Sequence, residues 1–256
     1  MALQNNQSNG LNCKQLLLLA SSLGIISASS VAHSALFDCV SEPGYCIGVG
    51  DTVIFKYVGT SSSIGLFGTV EVIGDSIVSF PTAFRAEAAD GASAFTSDNG
   101  TVQVIAKQGY QIDGVNVLEN GDYLLNGAGA SVDVDGWAKV LDWNNLLFGA
   151  SIQQNLTITG DLTINDSNTH NWTGATAFDI AGSSLAGIDH IGLQLQNNLY
   201  ASTTSQGESA WIEKKIVGGS IDMSIITTPV PVPAAVWLFG SGLIGLVGIA
   251  RRRARA

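Results

Sequence analysis

Short segments in which apolar and polar residues alternate, or in which apolar residues run together, recur from residue 51 to residue 226. Alternation with a period of two places successive side chains on opposite faces of a β-strand. Turn residues separate the segments, often as Asn-Gly, Asp-Gly or Gly-Asp pairs, which tolerate the positive φ angles of tight hairpins. The pattern predicts about a dozen strands, at residues 51–58, 64–73, 76–80, 101–107, 110–118, 122–127, 130–135, 137–143, 155–165, 191–203, 210–217 and 220–226.

This series predicts an all-β domain, a β-sandwich of jelly-roll type in which two sheets bury alternate side chains between them. A stacked β-helix is the alternative, but the chain shows no internal repeat of fixed length. Only residues 81–95, PTAFRAEAADGASAF, have a spacing that allows a short helix. Charged residues make up 12% of the chain, about half the usual share. The surface must therefore be covered by small polar residues, which suits strands and turns better than surface helices.

The N-terminus has the order of charge, apolar core and small residues that is typical of a secretory signal peptide. Lys14 precedes the apolar residues 16–26, and the small-residue stretch SASSVAHSA follows. This core is too short to span a bilayer, which needs about 20 apolar residues. We expect the general secretion machinery to export the chain and signal peptidase to remove residues 1–34, with Ala32 and Ala35 as fallback cleavage positions. A buried N-terminal helix is the alternative.

Two of the three cysteines remain after that cleavage. Cys39 and Cys46 flank a segment with Pro43 and Gly44, which can turn the chain. In an oxidising compartment such a pair is typical of one disulfide. We predict a Cys39–Cys46 disulfide that stabilises a local turn and little more, since a loop this small constrains few unfolded conformations. A metal-binding pair is the alternative, although no histidine of the exported part lies nearby in sequence.

Residues 229–256 combine a Pro-rich segment, an apolar run and an arginine cluster. The prolines cannot donate a backbone hydrogen bond and mark the end of the folded domain, residues 35–228. Residues 234–250 carry no charge and are just long enough for a single transmembrane helix, and four glycines give this helix a small-residue face. Arg251, Arg252 and Arg253 would stop the helix on the cytoplasmic side and leave the acidic domain outside.

The segment VPVPAAVWLFGSGLIGLVGIARRR, residues 230–253, resembles the PEP-CTERM sorting signal and closely resembles its VPLPA variant. Carriers of this signal are exported proteins of Gram-negative bacteria that make exopolysaccharide. The resemblance implies that an exosortase, a membrane-embedded cysteine transpeptidase-like enzyme, recognises and removes the tail; a permanent anchor is the alternative. This chain has Val232 where the name-giving pattern has Glu and the variant has Leu. The implied sorting motif consists of Val230, Pro231, Val232, Pro233, Ala234 and Ala235.

Residues 193–223 also resemble the segment that often precedes the VPLPA tail. In the carriers of that tail, a strand ends in a polar turn and an IEKK-like strand follows. The likeness implies a shared final hairpin of a matrix-protein β domain and says nothing about a ligand.

The exported part of the chain is strongly acidic. Residues 35–229 contain 21 Asp and Glu against 6 Lys and Arg, a net charge of −15. Nucleic-acid binding is not expected, because phosphate contacts need Lys and Arg. The sequence also lacks a Gly-x-Ser-x-Gly elbow, the HExxH spacing of zinc enzymes and a nucleotide-binding glycine loop. We therefore expect a protein that is not an enzyme and has no resident cofactor.

Two acidic segments are candidate cation sites. Asp133 and Asp135 lie two residues apart, so both carboxylates would share one face of a strand and could reach one calcium ion. For Asp142 to be a further calcium ligand, the fold would have to bring it to Asp133 and Asp135. In both segments an acidic hairpin in water is the simpler interpretation. The second segment offers Asp161, Asp166 and Asn168.

Four tryptophans inside or beside predicted strands are candidate sugar contacts. An indole ring that is exposed on a sheet can stack on a sugar, because its face is broad and apolar. A buried indole instead fills the sandwich, and burial is the more common outcome for any one of them. The four are Trp137, Trp143, Trp172 and Trp211.

The sequence thus predicts a protein that crosses the inner membrane, is held there transiently by its tail and ends at the cell surface or in the exopolysaccharide matrix. Its expected role is structural or adhesive, with calcium helping to cross-link acidic surfaces. One alternative is a carbohydrate-binding module that retains matrix polysaccharide through exposed tryptophans. Another is an exported polysaccharide-processing enzyme with paired carboxylates, for which the sequence singles out no pair.

Overall fold

The computed structural model describes residues 34–40, 44–214 and 220–231. Residues 1–33 of the predicted signal peptide, most of the sorting motif and the predicted membrane helix with its arginines lie outside the described residues. Within these ranges the chain forms strands and two 3₁₀ helices, Gly65–Phe67 and Trp143–Asn145. No helix in them is long and apolar enough to cross a membrane.

The described ranges contain sixteen strands, which all pair antiparallel with their neighbours. Numbered along the chain they are β1 (Ser34–Leu36), β2 (Asp38–Val40), β3 (Tyr45–Val49), β4 (Val53–Val58), β5 (Thr69–Ile73), β6 (Ser76–Phe80), β7 (Arg85–Ala89), β8 (Ser93–Ala106), β9 (Tyr110–Asn126), β10 (Ser131–Asp142), β11 (Ser151–Asn155), β12 (Thr157–Thr159), β13 (Thr169–Asp179), β14 (His190–Ser202), β15 (Ser209–Lys214) and β16 (Ile221–Pro229).

These strands form two sheets. The nine-stranded sheet has the order β1-β5-β6-β16-β9-β13-β12, and β15 joins it between β9 and β7. The seven-stranded sheet has the order β11-β10-β14-β8-β4-β3-β2. The long strand β9 pairs along one edge with β13, and along its other edge first with β16 and then with β15.

Alternate residues of both sheets meet in one apolar core. Phe55 and Leu199 point inward from the seven-stranded sheet, and Val115, Tyr123 and Ile212 point inward from the nine-stranded sheet. Each large apolar side chain buried in this way contributes about 1.5–3 kcal/mol to stability. The all-β prediction and the sandwich architecture are therefore confirmed.

The helix allowed for residues 81–95 is wrong. Residues 85–89 form β7, and β8 begins at Ser93 in the opposite sheet. The chain turns between the sheets at Asp90 and Gly91, with φ angles of 54° and 85°. Ala86 and Ala88 are buried while their neighbours are more exposed, which is the period of a strand and not of a helix.

Several predicted strand boundaries are also wrong. Two dipeptides that were predicted to form turns, Asn120-Gly121 and Asp135-Gly136, lie inside strands. Residues 110–118 and 122–127 belong to one strand, β9, which continues through Gly121. The segments predicted at 130–135 and 137–143 are likewise merged in one strand, β10 (Ser131–Asp142), which continues through Gly136. Strand β13 was not among the predicted segments. Other predictions, such as 76–80 for β6 and 191–203 for β14, agree with the structure within a residue.

The implied final hairpin is likewise wrong. Strand β14 lies in the seven-stranded sheet and β15 in the nine-stranded sheet, so the connection between them crosses the sandwich. At the other end of the domain, Cys39 and Cys46 face each other across the β2–β3 pair and are joined by a disulfide. This bridge lies at the edge of the seven-stranded sheet.

Candidate functional site

The outer surface of β8, β14 and β10 is rich in side-chain amides and hydroxyls, and we call it the amide face. It arises because the inward positions of these strands are mostly apolar, with Asn197 an exception, and the alternate positions point outward. The strand register aligns the outer residues in rows, for example Gln196 between Asn99 and Trp137. The amide face consists of Phe95, Ser97, Asn99, Thr101, Asp133, Asp135, Trp137, Lys139, Gln194, Gln196, Asn198 and Tyr200.

Aromatic rings interrupt the polar rows of the amide face. At one end Phe95, which is 58% exposed, packs against Tyr200 with 4.8 Å between the ring centroids. These two residues and Asp133 line an open groove of about 590 Å³. In the middle, Trp137 lines a second groove of about 210 Å³ with Gln194 and other amide-face residues. Rings beside amide donors and acceptors are the groups that contact sugars.

Asp133 and Asp135 both lie on the amide face, exposed and on the same side of β10, as predicted. Asp133 accepts a hydrogen bond from the backbone N–H of Val134 at 2.9 Å, and Asp135 accepts one from the side chain of Asn198 at 2.5 Å. Asp142 lies at the far end of β10 and accepts from the backbone N–H of Asn144. In the described part of the chain no three metal-ligating side chains form a cluster. Calcium at Asp133 and Asp135 stays a prediction.

The second acidic segment is a local turn network. Asp166 contacts Nε2 of His170 at 2.7 Å and accepts from the backbone N–H of Asn168, and these bonds lower the pKa of Asp166 to about 2. Asp161 accepts from the backbone N–H and hydroxyl of Thr163, which also lowers its pKa. Neighbouring residues of the same turn therefore hold both carboxylates in place.

The four tryptophans have different environments. Trp172 is buried, with 1% of its surface exposed, whereas the other three are partly exposed. Trp211 lies on the outer side of the nine-stranded sheet under the guanidinium of Arg85, 4.3 Å from the ring centroid. Only Trp137 belongs to the amide face.

A second site lies between the sheets, where three polar side chains meet in the core. We call Glu119, Asn197 and Lys214 the Lys214 cluster. Nζ of Lys214 donates to Oε2 of Glu119 and to Oδ1 of Asn197. Nδ2 of Asn197 donates to Oε1 of Glu119 at 2.7 Å. The Lys214 and Glu119 side chains are fully buried, so each needs the other because an unpaired charge in the core is costly.

Aromatic rings enclose the Lys214 cluster. The ammonium lies 4.9 Å from the ring centroid of Trp172 and 5.7 Å from that of Phe84. Among residues 34–40, 44–214 and 220–231, none accepts a hydrogen bond from the indole N–H of Trp172. Burial lowers the pKa of Lys214, and the Glu119 carboxylate opposes that shift.

Each member of the Lys214 cluster has a glycine directly opposite on a neighbouring strand. Gly174 faces Glu119, Gly136 faces Asn197, and Gly121 faces Lys214. Gly121 also faces Trp172 on its other side, and a Cβ at Gly121 would lie 2.2 Å from the indole. The missing side chain therefore leaves the space that the indole occupies beside Lys214.

No member of the Lys214 cluster was predicted from the sequence as a site residue. A usable signal was present in the residue spacing. Lys214 follows Ala210 and Ile212 at intervals of two, and Glu119 follows Val115 and Val117 in the same way. A charged residue at a core position of a strand is rarely buried without a partner.

The fold and its surfaces define an antiparallel β-sandwich with an amide face and a buried ionic cluster. No protein-family model matches the chain, and no curated protein matches it. The chain is similar to a structure of infectious bursal disease virus Gx strain at 11% identity, with a TM-score of 0.22 over 78% of this chain and 57% of that chain. The chain is also similar to a crystal structure of the infectious bursal disease virus VP2 subviral particle at 10% identity, with a TM-score of 0.17 over 78% of this chain and 58% of that chain. The chain spans less than two thirds of these viral chains, and similarities this weak indicate neither a shared fold nor a shared function.

Proposed function

We propose that this protein is an exported β-sandwich of the cell surface or exopolysaccharide matrix, with a structural or adhesive role, and that an exosortase processes its tail. The observation that carries the proposal is the segment 230–253 and its resemblance to the VPLPA sorting signal. The position of this segment supports it: β16 ends at Pro229, and Val230 and Pro231 are exposed. The motif would thus begin where the sandwich ends, accessible to a membrane enzyme.

Two further features support an extracellular role. The domain carries a disulfide, which persists in oxidising compartments. Most polar groups of the amide face are uncharged, and of its three charged residues two are aspartates, which suits contact with hydrated polymers better than contact with nucleic acid. The jelly-roll subtype of the sandwich, the calcium cross-linking of acidic surfaces and the transient membrane attachment belong to this same proposal.

The sorting step predicts a change in the C-terminus of the exported protein. Mass spectrometry of material collected outside the producing cells is expected to show a chain that ends before Arg251. Substitution of Pro231 and Pro233 by alanine is expected to leave the full tail in the membrane fraction, because the motif is lost while the apolar run and the arginines remain. As a control, Ala substitution at Pro81, outside the tail, should leave processing unchanged. Exported protein that still carries Arg251, Arg252 and Arg253 would contradict the proposal.

A carbohydrate-binding module is the second candidate function, and the amide face favours it. Trp137→Ala and Tyr200→Ala are each expected to weaken binding about tenfold, since loss of a central aromatic contact costs on the order of 1–2 kcal/mol. Binding is measured with exopolysaccharide purified from the producing organism. Trp211→Ala removes a partly exposed indole from the other sheet and serves as the matched control. Equal affinity in all four proteins would exclude the amide face as the binding surface.

A further inference from the structure

The Lys214 cluster places an amine, an amide and a carboxyl group in direct contact. Because Nζ of Lys214 contacts Oδ1 of Asn197, the amide carbon Cγ lies one C=O bond beyond the contacted atom. Groups held this close in a fixed orientation gain much of the advantage of an intramolecular reaction. Glu119 touches both reacting groups, with Oε2 at the Lys214 amine and Oε1 at the Asn197 nitrogen Nδ2.

The surroundings favour the reactive form of the amine. An ammonium cannot attack a carbonyl carbon, but a lysine desolvated in an apolar pocket is activated as a nucleophile. Burial lowers the pKa of Lys214, which favours its neutral amine. Trp172 and Phe84 line the site, and exclusion of water removes the competing nucleophile.

We propose that the folded protein joins Lys214 to Asn197 by an intramolecular isopeptide bond, with Glu119 as the catalytic proton-transfer group. Glu119 first takes one proton from the Lys214 ammonium. Nζ then attacks Cγ of Asn197, and the Nζ–Cγ bond forms. Glu119 donates a proton to Nδ2 while the amine loses a second proton to the carboxylate, the Cγ–Nδ2 bond breaks, and ammonia leaves. The products are a secondary amide, a protonated Glu119 and ammonia, and nothing is oxidised or reduced.

The positions of the two residues give the bond a structural consequence. Asn197 lies on β14 of the seven-stranded sheet, and Lys214 lies on β15 of the nine-stranded sheet. The bond therefore joins the two sheets covalently through the core and closes a short loop in the chain. It also replaces a buried ion pair with a neutral amide. This inference depends only on the folded sandwich and holds whether or not the tail is sorted.

Peptide mapping of the full chain tests the proposal. No Lys or Arg lies between Asn197 and Lys214, so trypsin would leave both residues in one peptide. A glutamate-specific protease cuts after Glu208 and Glu213 and separates them. From the reduced and denatured protein we expect two peptides that stay joined, with a combined mass lower by one ammonia molecule, and fragmentation that places the bond at Asn197 and Lys214. Wild-type protein that yields only separate peptides would overturn the proposal.

Variants test the role of each group. Asn197→Ala and Lys214→Met should give no joined peptides. Glu119→Gln keeps the shape and both reacting residues, so loss of the joined peptides in a variant with wild-type circular dichroism assigns the proton transfer to Glu119. Joined peptides at the wild-type level in Glu119→Gln would overturn that role. A joined pair that has lost water instead of ammonia would place the bond at Glu119 itself and would also overturn the proposal. Should a variant not fold, the wild-type map still decides whether the bond exists.

Discussion

Glu119→Ala is expected to lower the free energy of unfolding by about 3–5 kcal/mol, because without the carboxylate Lys214 stays in the core as an uncompensated charge. The substitution leaves Lys214 in the core with the amide of Asn197 as its remaining polar partner. Glu119 is fully enclosed, so water cannot take the place of the lost carboxylate. Urea unfolding followed by circular dichroism measures the loss as a lower transition midpoint.

Matched variants separate the contributions to this loss. Glu87→Ala removes an exposed carboxylate that pairs with Arg85 at 3.0 Å, and it should cost only about 0–1 kcal/mol. Asn197→Ala prevents the cross-link and keeps the Lys214–Glu119 pair, but it also removes the Asn197 hydrogen bonds to both partners, so its loss is an upper limit on the share of the cross-link. The double variant Glu119→Leu with Lys214→Met removes both charges and should recover part of the loss. A Glu119→Ala protein as stable as the wild type would show that no charge is buried at this position.

Gly121→Ala is expected to destabilise the sandwich although alanine suits a strand as well as glycine does. The added Cβ would lie 2.2 Å from Cε2 of Trp172 and 2.3 Å from its Nε1, and the indole is buried against the Lys214 cluster with little room to move. Overpacking of this kind costs about 1–3 kcal/mol. Gly114→Ala, in the same strand, meets its nearest atom at 3.1 Å and is the control with the smaller expected cost. Urea unfolding of both variants provides the comparison.

The same clash predicts a coupling between two positions. Trp172→Ala alone should cost about 3–5 kcal/mol, because it removes one of the largest buried side chains. In that background Gly121→Ala no longer meets an indole, so its own cost should fall to near zero. The double variant is therefore expected to be more stable than the sum of the single losses indicates, by about 1–3 kcal/mol, the cost of the clash. Strict additivity would show that Gly121 and Trp172 do not share this space.

The placement of Asp133 and Asp135 could be predicted from the sequence, whereas the placement of the Lys214 cluster could not. Asp133 and Asp135 could be placed on one face of a strand because residues two apart share a face in any strand. Nothing in that rule indicates which strands lie beside them, so the surrounding Tyr200 and Asn198 were not foreseen. Glu119, Asn197 and Lys214 come from three strands in two sheets, and their meeting depends on the packing of the sheets.

The role of a glycine also cannot be predicted from its neighbours in the sequence alone. In isolation, an Asp-Gly or Asn-Gly pair indicates a turn, because glycine tolerates positive φ angles. Asp90 and Gly91 do form such a turn. Gly121 and Gly136 instead lie inside β9 and β10, where they leave room for the Trp172 indole and for the Asn197 side chain and its strand. These two glycines are needed because a side chain there would collide with neighbouring residues. That requirement becomes visible only when the neighbours across the sheet are known.

The sequence by itself determined the all-β class and the two-sheet burial pattern and predicts a sorting signal at residues 230–253, because each depends on local periodicity or on a contiguous motif. Tertiary structure alone decided which strands became neighbours, and with them the amide face and the Lys214 cluster. The physical reason is range: a period of two assigns a residue to a face, whereas a contact between side chains from different sheets depends on how those faces pack against each other.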